Sequence, residues 1–128
     1  MREGMYLINY GVRPGPQNAG MNEGTGTLIF EGGTIYGADV GGARYDGEYQ
    51  LNPAIGLNPA TGHVEIKLKV TFPPNVVSIF GIAHQYEWAI QVTTQMDPNQ
   101  DAGPLQIMSD VGPVSATYMY LRSLPAAA

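Results

Sequence analysis

Cysteine is absent from this 128-residue chain, which excludes a disulfide framework and thiolate chemistry and favours a reducing compartment. Charge is also scarce, because Lys, Arg, Asp and Glu together make up 13% of the residues. The six Lys and Arg residues are spread along the chain, whereas a surface that tracks nucleic-acid phosphates needs clustered positive charge. The longest strongly apolar run without a charge, Val76–Ala83, is too short to cross a bilayer. We therefore expect no nucleic-acid partner and no membrane partner.

The motifs that mark common enzyme classes are absent as well. The sequence has no nucleophile elbow, P-loop, HExxH or CxxC motif. The pair Gly24-x-Gly26 lacks the third glycine of a dinucleotide fingerprint and leads into a β-patterned run instead of a helix. The first residues carry one basic side chain and no apolar core of a signal peptide. We expect a cytoplasmic, non-enzymatic protein that uses no cofactor and no metal.

Glycine and proline, by contrast, are abundant, with 17 Gly and 10 Pro that fit many tight turns between short strands. The pairs Gly32-Gly33 and Gly41-Gly42 separate three β-patterned runs, Thr27–Glu31, Thr34–Val40 and Ala43–Leu51. Glycine supplies the positive φ that a two-residue hairpin turn requires. These residues therefore predict a three-stranded meander with a Gly-Gly turn at each link.

Five further segments have the alternation or the composition of β-strands. They are Glu3–Tyr10, Gly62–Phe72, Gln85–Thr93, Leu105–Asp110 and Val114–Leu124. The segment Gly62–Phe72 alternates most clearly, because every other residue in it is apolar. We expect these apolar residues to face the core: Val64, Ile66, Leu68, Val70 and Phe72. The residues between them are polar or charged, which is typical of a strand with one buried face.

The links between strands complete the fold prediction. Gly11–Glu23 is rich in Gly and Pro and predicts an exposed loop, and the tandem repeat at Leu51–Gly62 predicts a duplicated turn. Val76–Ala83 is apolar without a clear period, which suits a short helix or a loop that covers one end of a barrel. Eight sequential strands with short links predict one all-β domain over residues 1–128. It would close as an eight-stranded up-and-down β-barrel, with a sandwich of two sheets as the alternative.

The spacing of several residues resembles that of the GrlR family, whose best-known member is a negative regulator of a type III secretion gene cluster. The resemblance rests on Tyr6-x-Ile8-x-Tyr10, Gly24-x-Gly26, Gly33-x-Ile35-x-Gly37-Ala38-Asp39 and Tyr45-x-Gly47. It continues more weakly through the strand at Gly62–Phe72 to Tyr86.

The resemblance implies a lipocalin-like β-barrel with an apolar interior, a homodimer, and regulation through contact with a protein partner such as a transcriptional regulator. One segment departs from the family pattern. In the secretion regulator an acidic stretch implicated in binding a transcriptional activator follows the third-strand region. Here the tandem repeat occupies that position, and no Asp or Glu lies between Glu48 and Glu65. The resemblance therefore predicts the fold and leaves the partner undefined.

An eight-stranded barrel has room for packed side chains or for one small ligand. We expect aromatic and aliphatic residues at strand spacing to line a cavity for a small apolar ligand: Tyr45, Tyr49, Phe72, Tyr86, Trp88 and Ile90. A filled core is the alternative. Asp39 shares strand parity with Ile35, so it is either a polar anchor at the barrel mouth or a partner of the Gly41-Gly42 amides or of Arg44.

Three hypotheses for function follow. The first is a regulator that binds a protein and holds a small apolar ligand in the barrel, and the second is a small-ligand carrier or sensor without a regulatory partner. The third is an enzyme that uses Asp39 or the pair Asp46 and Glu48, although neighbouring exposed acids usually serve solubility. His63 and Glu65 lie on one strand face, where two adjacent lysines disfavour a metal cation.

Overall fold

The computed structural model describes residues 2–12, 22–52 and 63–125, and these form a closed antiparallel β-barrel. Its strands are β1 (Gly4–Val12), β2 (Asn22–Glu31), β3 (Thr34–Asp39), β4 (Arg44–Asn52), β5 (His63–Phe72), β6 (Trp88–Met96), β7 (Ala102–Ser109) and β8 (Gly112–Arg122). Each strand pairs with the next along the chain, and β8 pairs with β1 to close the barrel. The prediction of an all-β, eight-stranded up-and-down barrel is confirmed.

The links between the strands are loops and turns in the part of the chain that the structure describes. Residues 2–12, 22–52 and 63–125 contain no helix, and thus none that is long and apolar enough to span a membrane. Val76–Ala83 is accordingly a loop, which was one of its two predicted forms. Strands β1 and β2 take up both ends of the predicted loop Gly11–Glu23, and its remainder, 13–21, lies outside the described residues. The same holds for most of the tandem repeat, at 53–62.

The two Gly-Gly links form different turns. Gly32 and Gly33 join β2 to β3 as a two-residue turn, with φ of 58° and 84°, the left-handed values that such hairpins require. The second link is a four-residue loop, not the predicted two-residue turn, because β3 ends at Asp39 and β4 begins at Arg44. The Asp39 amide closes this loop by donating a hydrogen bond to the Ala43 carbonyl oxygen at 3.0 Å.

Side chains along the strands alternate between the barrel interior and its outer surface. In β5 all the predicted core residues are buried: Val64, Ile66, Leu68, Val70 and Phe72. Leu51, which shares the parity of the buried Tyr45, is nevertheless 60% exposed near the end of β4. Thr71 is buried although it lies on the outer side of β5. Its ladder partners are Arg44 and Ala89, and Arg44 forms an ion pair with Glu87 at 3.1 Å.

The interior is packed unevenly along the barrel axis. Aromatic rings fill the end that holds the β2–β3 turn, where Tyr6, Phe30, Tyr49 and Tyr120 have neighbouring ring centroids 5.0–5.3 Å apart. Tyr6 and Phe30 are almost completely buried there. We call this the closed end. The opposite end, which we call the mouth, holds the β3–β4 loop and the long link between β5 and β6.

Two strand glycines allow neighbouring backbones to approach closely. A Cβ on Gly37 would collide with the carbonyl oxygen of Thr27, and a Cβ on Gly47 would collide with that of Lys67. A sheet that closes into a small barrel needs sharp bends, and glycine permits them because it has no side chain to displace. The two glycines of the family-like spacing therefore have a role in barrel closure.

The seam between β6 and β7 is the least extensively paired. Its ladder consists of two residue pairs, whereas β1 and β2 share nine. Side chains contribute further hydrogen bonds: the Thr94 hydroxyl donates to the Gln106 carbonyl oxygen (2.8 Å), and the Gln91 amide donates to Asp110 Oδ2 (2.8 Å). The closure of the barrel therefore depends on side chains at this seam more than elsewhere.

Charge is distributed asymmetrically on the outer surface. The outer side of β4 and β5 carries opposite charges in register, since Asp46 pairs with Lys69 and Glu48 pairs with Lys67. Apart from Arg122 at the end of β8, the outward-facing residues of β6, β7, β8 and β1 include no Asp, Glu, Lys or Arg. We call the outer side of these four strands the uncharged face.

Candidate functional site

The mouth half of the barrel encloses a cavity of about 270 Å³. Inward-facing aliphatic residues of six strands form its wall: Ile8, Leu28, Leu68, Val70, Ile90, Val92, Ile107 and Val114. The volume exceeds that of an engineered apolar cavity of about 150 Å³ that binds benzene. It lies just below the range of about 300–1,000 Å³ that is common for small-molecule sites. The interior is thus filled at the closed end and hollow at the mouth.

The loop Val76–Ala83 covers part of this cavity, as its sequence predicted. Residues 76–80 of the loop line the cavity, including the side chains of Ile79 and Phe80, which pack against the core. The loop is held by its own backbone, because the Asn75 amide donates to the His84 carbonyl oxygen (2.7 Å) and the Ser78 amide donates to that of Ile82 (2.9 Å). The cover is therefore a folded loop with an apolar inner side.

A cluster of three polar side chains, Tyr10, Asp39 and Tyr45, lies at the cavity rim, and we call it the polar cluster. The Tyr10 hydroxyl donates to Asp39 Oδ2 at 2.6 Å, and the Tyr45 hydroxyl lies 3.2 Å from the same oxygen and 3.1 Å from the Tyr10 hydroxyl. Asp39 Oδ1 accepts a hydrogen bond from the Ala43 amide at 2.9 Å. Asp39 thus lies at the barrel mouth and also caps the β3–β4 loop, while Arg44 pairs with Glu87 instead.

Two glycines of β2 provide the space for the polar cluster. Gly24 pairs with Tyr10 across the β1–β2 ladder, and a Cβ on Gly24 would lie 2.5–2.7 Å from the Tyr10 ring and hydroxyl. A Cβ on Gly26 would lie 2.8 Å from the Tyr45 hydroxyl. Tyrosine rings that cover strand glycines in this way also shield the exposed backbone. Gly24-x-Gly26 therefore serves to seat two tyrosines.

Burial raises the pKa of the Tyr10 hydroxyl above its ordinary value of 10.0, and the hydrogen bond to Asp39 raises it further. Burial also raises the pKa of Tyr45, with added contributions from Tyr10 and Asp39. The physical cause is that a phenolate would lose its hydration and would lie beside a carboxylate. Both hydroxyls consequently remain hydrogen-bond donors over the physiological pH range.

The charged side chains that line the cavity, among the described residues, are both acidic. They are Asp39 in the polar cluster and Glu23 at the start of β2. None of the described Lys and Arg residues lines the cavity. Arg2 forms an ion pair with Asp101 at the closed end, Arg44 pairs with Glu87 on the outer surface, and Lys67, Lys69 and Arg122 lie on the strands β5 and β8. The cavity therefore combines an apolar wall with a negatively charged rim.

Four of the seven residues predicted to contact a ligand line this cavity: Asp39, Tyr45, Phe72 and Ile90. Tyr49 is instead at the closed end, where it packs against Phe30 and its hydroxyl donates to Glu3 Oε1 at 3.0 Å. Trp88 lies behind the cavity wall, because it stacks on Phe72 with ring centroids 4.5 Å apart.

The predicted inward position of Tyr86 is wrong. Its side chain is 62% exposed, and β6 begins two residues later, at Trp88. The ring stacks on His84 at 4.9 Å, and His84 also contacts Trp88 edge-on at 4.9 Å. Tyr86 therefore lies in the link between β5 and β6, where the Asn75 amide donates a hydrogen bond to the His84 carbonyl oxygen. The alternation of residues around Tyr86 does not belong to a strand.

The other candidates from the sequence lie away from the cavity. Asp46 and Glu48 are exposed on the outer side of β4, each opposite a lysine of β5. His63 and Glu65 are half-buried on the outer side of β5. Within residues 2–12, 22–52 and 63–125, no group of three or more His, Asp or Glu side chains is close enough to hold a metal ion.

Sequence reasoning missed Tyr10 and Phe80 as cavity residues. Tyr10 could have been found, because it has the same parity as Ile8 in an alternating strand and because a nearby glycine pair leaves room for a ring. Phe80 could not, since a loop has no period that fixes the direction of its side chains.

Comparison with known proteins adds no relative: no family model matches the chain, no curated protein does, and no solved structure does. The resemblance to the GrlR family therefore stays a prediction.

Proposed function

We propose that this protein binds a small, predominantly apolar molecule in the mouth half of the barrel, as a carrier or sensor, without converting it chemically. The observation that carries the proposal is the cavity of about 270 Å³, with its aliphatic wall and a single polar cluster at its rim. Small-molecule sites have this composition, because apolar surface supplies affinity and a few placed polar groups fix the orientation. The second hypothesis from the sequence thus has the stronger support.

Calorimetric titration with phenethyl alcohol, which is small enough for the cavity and carries one polar group, tests the proposal. We expect saturable binding at one site per chain. Val114 is buried and lines the cavity, so Val114→Phe should fill part of it and abolish binding without loss of fold. Val111→Phe is the matched control, since Val111 is exposed and does not line the cavity. Absence of binding, or equal binding by both variants, would reject the proposal.

A second candidate function is regulation through protein contact by a homodimer, as the family resemblance implies. The uncharged face supports it, because interface cores are depleted of charge and enriched in methionine. This face exposes Met108, Met119 and Leu121, with exposed fractions between 44% and 58%. We propose that a second copy of the chain covers it.

Native mass spectrometry tests this second candidate. We expect a dimer, and we expect Met119→Lys to convert it to a monomer because a lysine would be desolvated in the interface. Gln50→Lys, on the outer side of β4, is the matched control and should leave the dimer intact. A monomer at all concentrations would contradict the candidate.

A further inference from the structure

We infer that the ligand of this cavity is an apolar amine, bound as its ammonium cation with Asp39 as the counter-ion. The inference rests on the proposed function and specifies the chemical class of the molecule that the cavity selects. It is carried by the polar cluster and by the sign of the charges at the rim.

The first argument concerns the unbalanced charge of Asp39. Its carboxylate accepts hydrogen bonds from the Tyr10 hydroxyl and the Ala43 amide and lies within hydrogen-bond distance of the Tyr45 hydroxyl, so its three potential donors are all neutral. The 2.6 Å separation between the Tyr10 hydroxyl and Oδ2 is typical of a hydrogen bond to an ionised acceptor. These donors stabilise the charge without cancelling it, and the other charged residue described at the cavity, Glu23, is also acidic.

The second argument concerns the hydrogen-bonding groups that the rim offers. A carboxylate has about four acceptor positions, so three donors leave Asp39 room for one more. The Tyr45 hydroxyl has a single hydrogen, which points to Asp39 or Tyr10, and its oxygen lone pairs remain available to accept. The described part of the rim therefore presents acceptors, and an ammonium group is a donor that also supplies a positive charge to balance Asp39.

The aromatic residues of the cavity favour the same class of ligand. The rings of Tyr10, Tyr45, Phe72 and Phe80 line it together with the aliphatic wall. The face of an aromatic ring attracts a cation, and the attraction is stronger where water is excluded. The aliphatic residues deeper in the barrel then accommodate the hydrocarbon part of the ligand. A carboxylate ligand, by contrast, would be repelled by Asp39 and Glu23.

A matched series of probes tests the inference by calorimetry on the full chain. Phenethylamine, phenethyl alcohol and phenylacetate share a ring and differ in charge. We expect the amine to bind at least about tenfold more tightly than the alcohol, because hydrogen bonds to charged groups are roughly twice as strong as neutral ones. We expect phenylacetate to bind most weakly, and added salt to reduce the advantage of the amine.

Substitutions then identify the group responsible. Asp39→Asn should remove the preference for the amine, whereas Asp46→Asn, on the outer side of β4, should retain it. If Asp39→Asn fails to fold, the salt titration of the unmodified protein decides, because an amine advantage that salt leaves unchanged would contradict an ionic contact. Equal affinity of amine and alcohol in the unmodified protein would overturn the inference while leaving the proposed function standing. Failure of all three probes to bind would overturn both.

Discussion

At the scale of single residues, the candidate site depends on the matching of large and small side chains on neighbouring strands. Tyr10 and Tyr45 reach Asp39 because Gly24 and Gly26 leave the space in which their rings lie. The tyrosine hydroxyls in turn lie within hydrogen-bond distance of Asp39 Oδ2, while the Ala43 amide donates to Oδ1, so both carboxylate oxygens have partners at the edge of an apolar cavity. The polar cluster is therefore one unit, and a change in any member should alter the others.

Gly26→Ala tests this dependence. The new methyl group would lie 2.8–2.9 Å from the Tyr45 hydroxyl and ring, so Tyr45 must move. We expect a loss of about 1–3 kcal/mol in the free energy of unfolding, the usual cost of overpacking, together with weaker ligand binding. Gly41→Ala is the control, because its nearest contact would be an ordinary 3.5 Å to Asp39 Oδ1. It should change stability by less than about 0.5 kcal/mol. Equal effects of both variants on urea denaturation would contradict this account.

The buried tyrosines predict that stability falls in alkali. Burial raises the pKa of Tyr6 from 10.0 to about 12, and burial also raises the pKa values of Tyr10 and Tyr45. Between the two pKa values the unfolded chain has lost the proton and the folded chain retains it, so stability decreases as pH rises. The stabilisation is complete below pH 10.0 and is lost progressively up to about 12 and beyond.

Thermal unfolding followed at increasing pH measures this effect. At pH values where no tyrosine ionises in either state, these tyrosines should leave the melting temperature constant. As the pH rises through 10.0, the pKa of tyrosine in the unfolded chain, the melting temperature should decrease. Tyr45→Phe removes one of the responsible groups and should make the decrease shallower. Tyrosinate signals assigned to Tyr6, Tyr10 or Tyr45 that appear well before unfolding would show that these hydroxyls are not protected.

At the scale of strands, most elements follow from their sequence and the exceptions have local causes. The alternation in 63–72 and the Gly32-Gly33 turn were predictable, because period and turn chemistry act within a few residues. The position of Tyr86 was not predictable from the sequence, because it depends on contacts in the link before β6. There the His84 ring contacts both Tyr86 and Trp88, and the Asn75 amide donates to the His84 carbonyl oxygen. The β3–β4 loop also differs from its prediction, because Asp39 stabilises a longer turn with its own backbone and side chain.

The β6–β7 seam predicts where the barrel opens first. Two residue pairs, a backbone hydrogen bond from Asp110 to Gln91 and a few hydrogen bonds with side chains join this seam, so local opening should cost less there. Thr94→Val removes the hydroxyl that donates to the Gln106 carbonyl oxygen, and we expect a loss of about 1 kcal/mol in the free energy of unfolding. Amide hydrogen exchange at the seam should also accelerate.

Thr93→Val is the matched control for this prediction. Thr93 is the neighbouring residue of β6, and its side chain is exposed on the outer side of the barrel. The Thr93→Val variant should therefore leave amide hydrogen exchange at the β6–β7 seam unchanged. Exchange at β6 and β7 that is as slow as at the β1–β2 ladder in the unmodified protein would contradict the weak-seam account.

At the scale of the whole molecule, the division into a filled end and a hollow end shows how a small barrel can have a packed core and still contain a cavity. The rings of Tyr6, Phe30 and Tyr49 pack together at the closed end. In the mouth half, the inward-facing residues are mostly aliphatic and leave a cavity between them. The sequence predicted which residues face inward but not this division. Whether the inward-facing side chains fill the barrel depends on their total volume over eight strands and the loop Val76–Ala83. That total cannot be read from the pattern of any one segment.

The most direct test of the central claim is methyl-labelled NMR of the protein titrated with phenethyl alcohol. We predict saturable shifts at cavity methyl groups, for example those of Ile90, Ile107 and Val114. Methyl groups near the closed end, such as those of Val64 and Ile66, should shift little, because they are buried outside the cavity lining. Shifts confined to exposed residues, or no saturable shifts, would contradict the claim that the mouth half of this barrel is a ligand site.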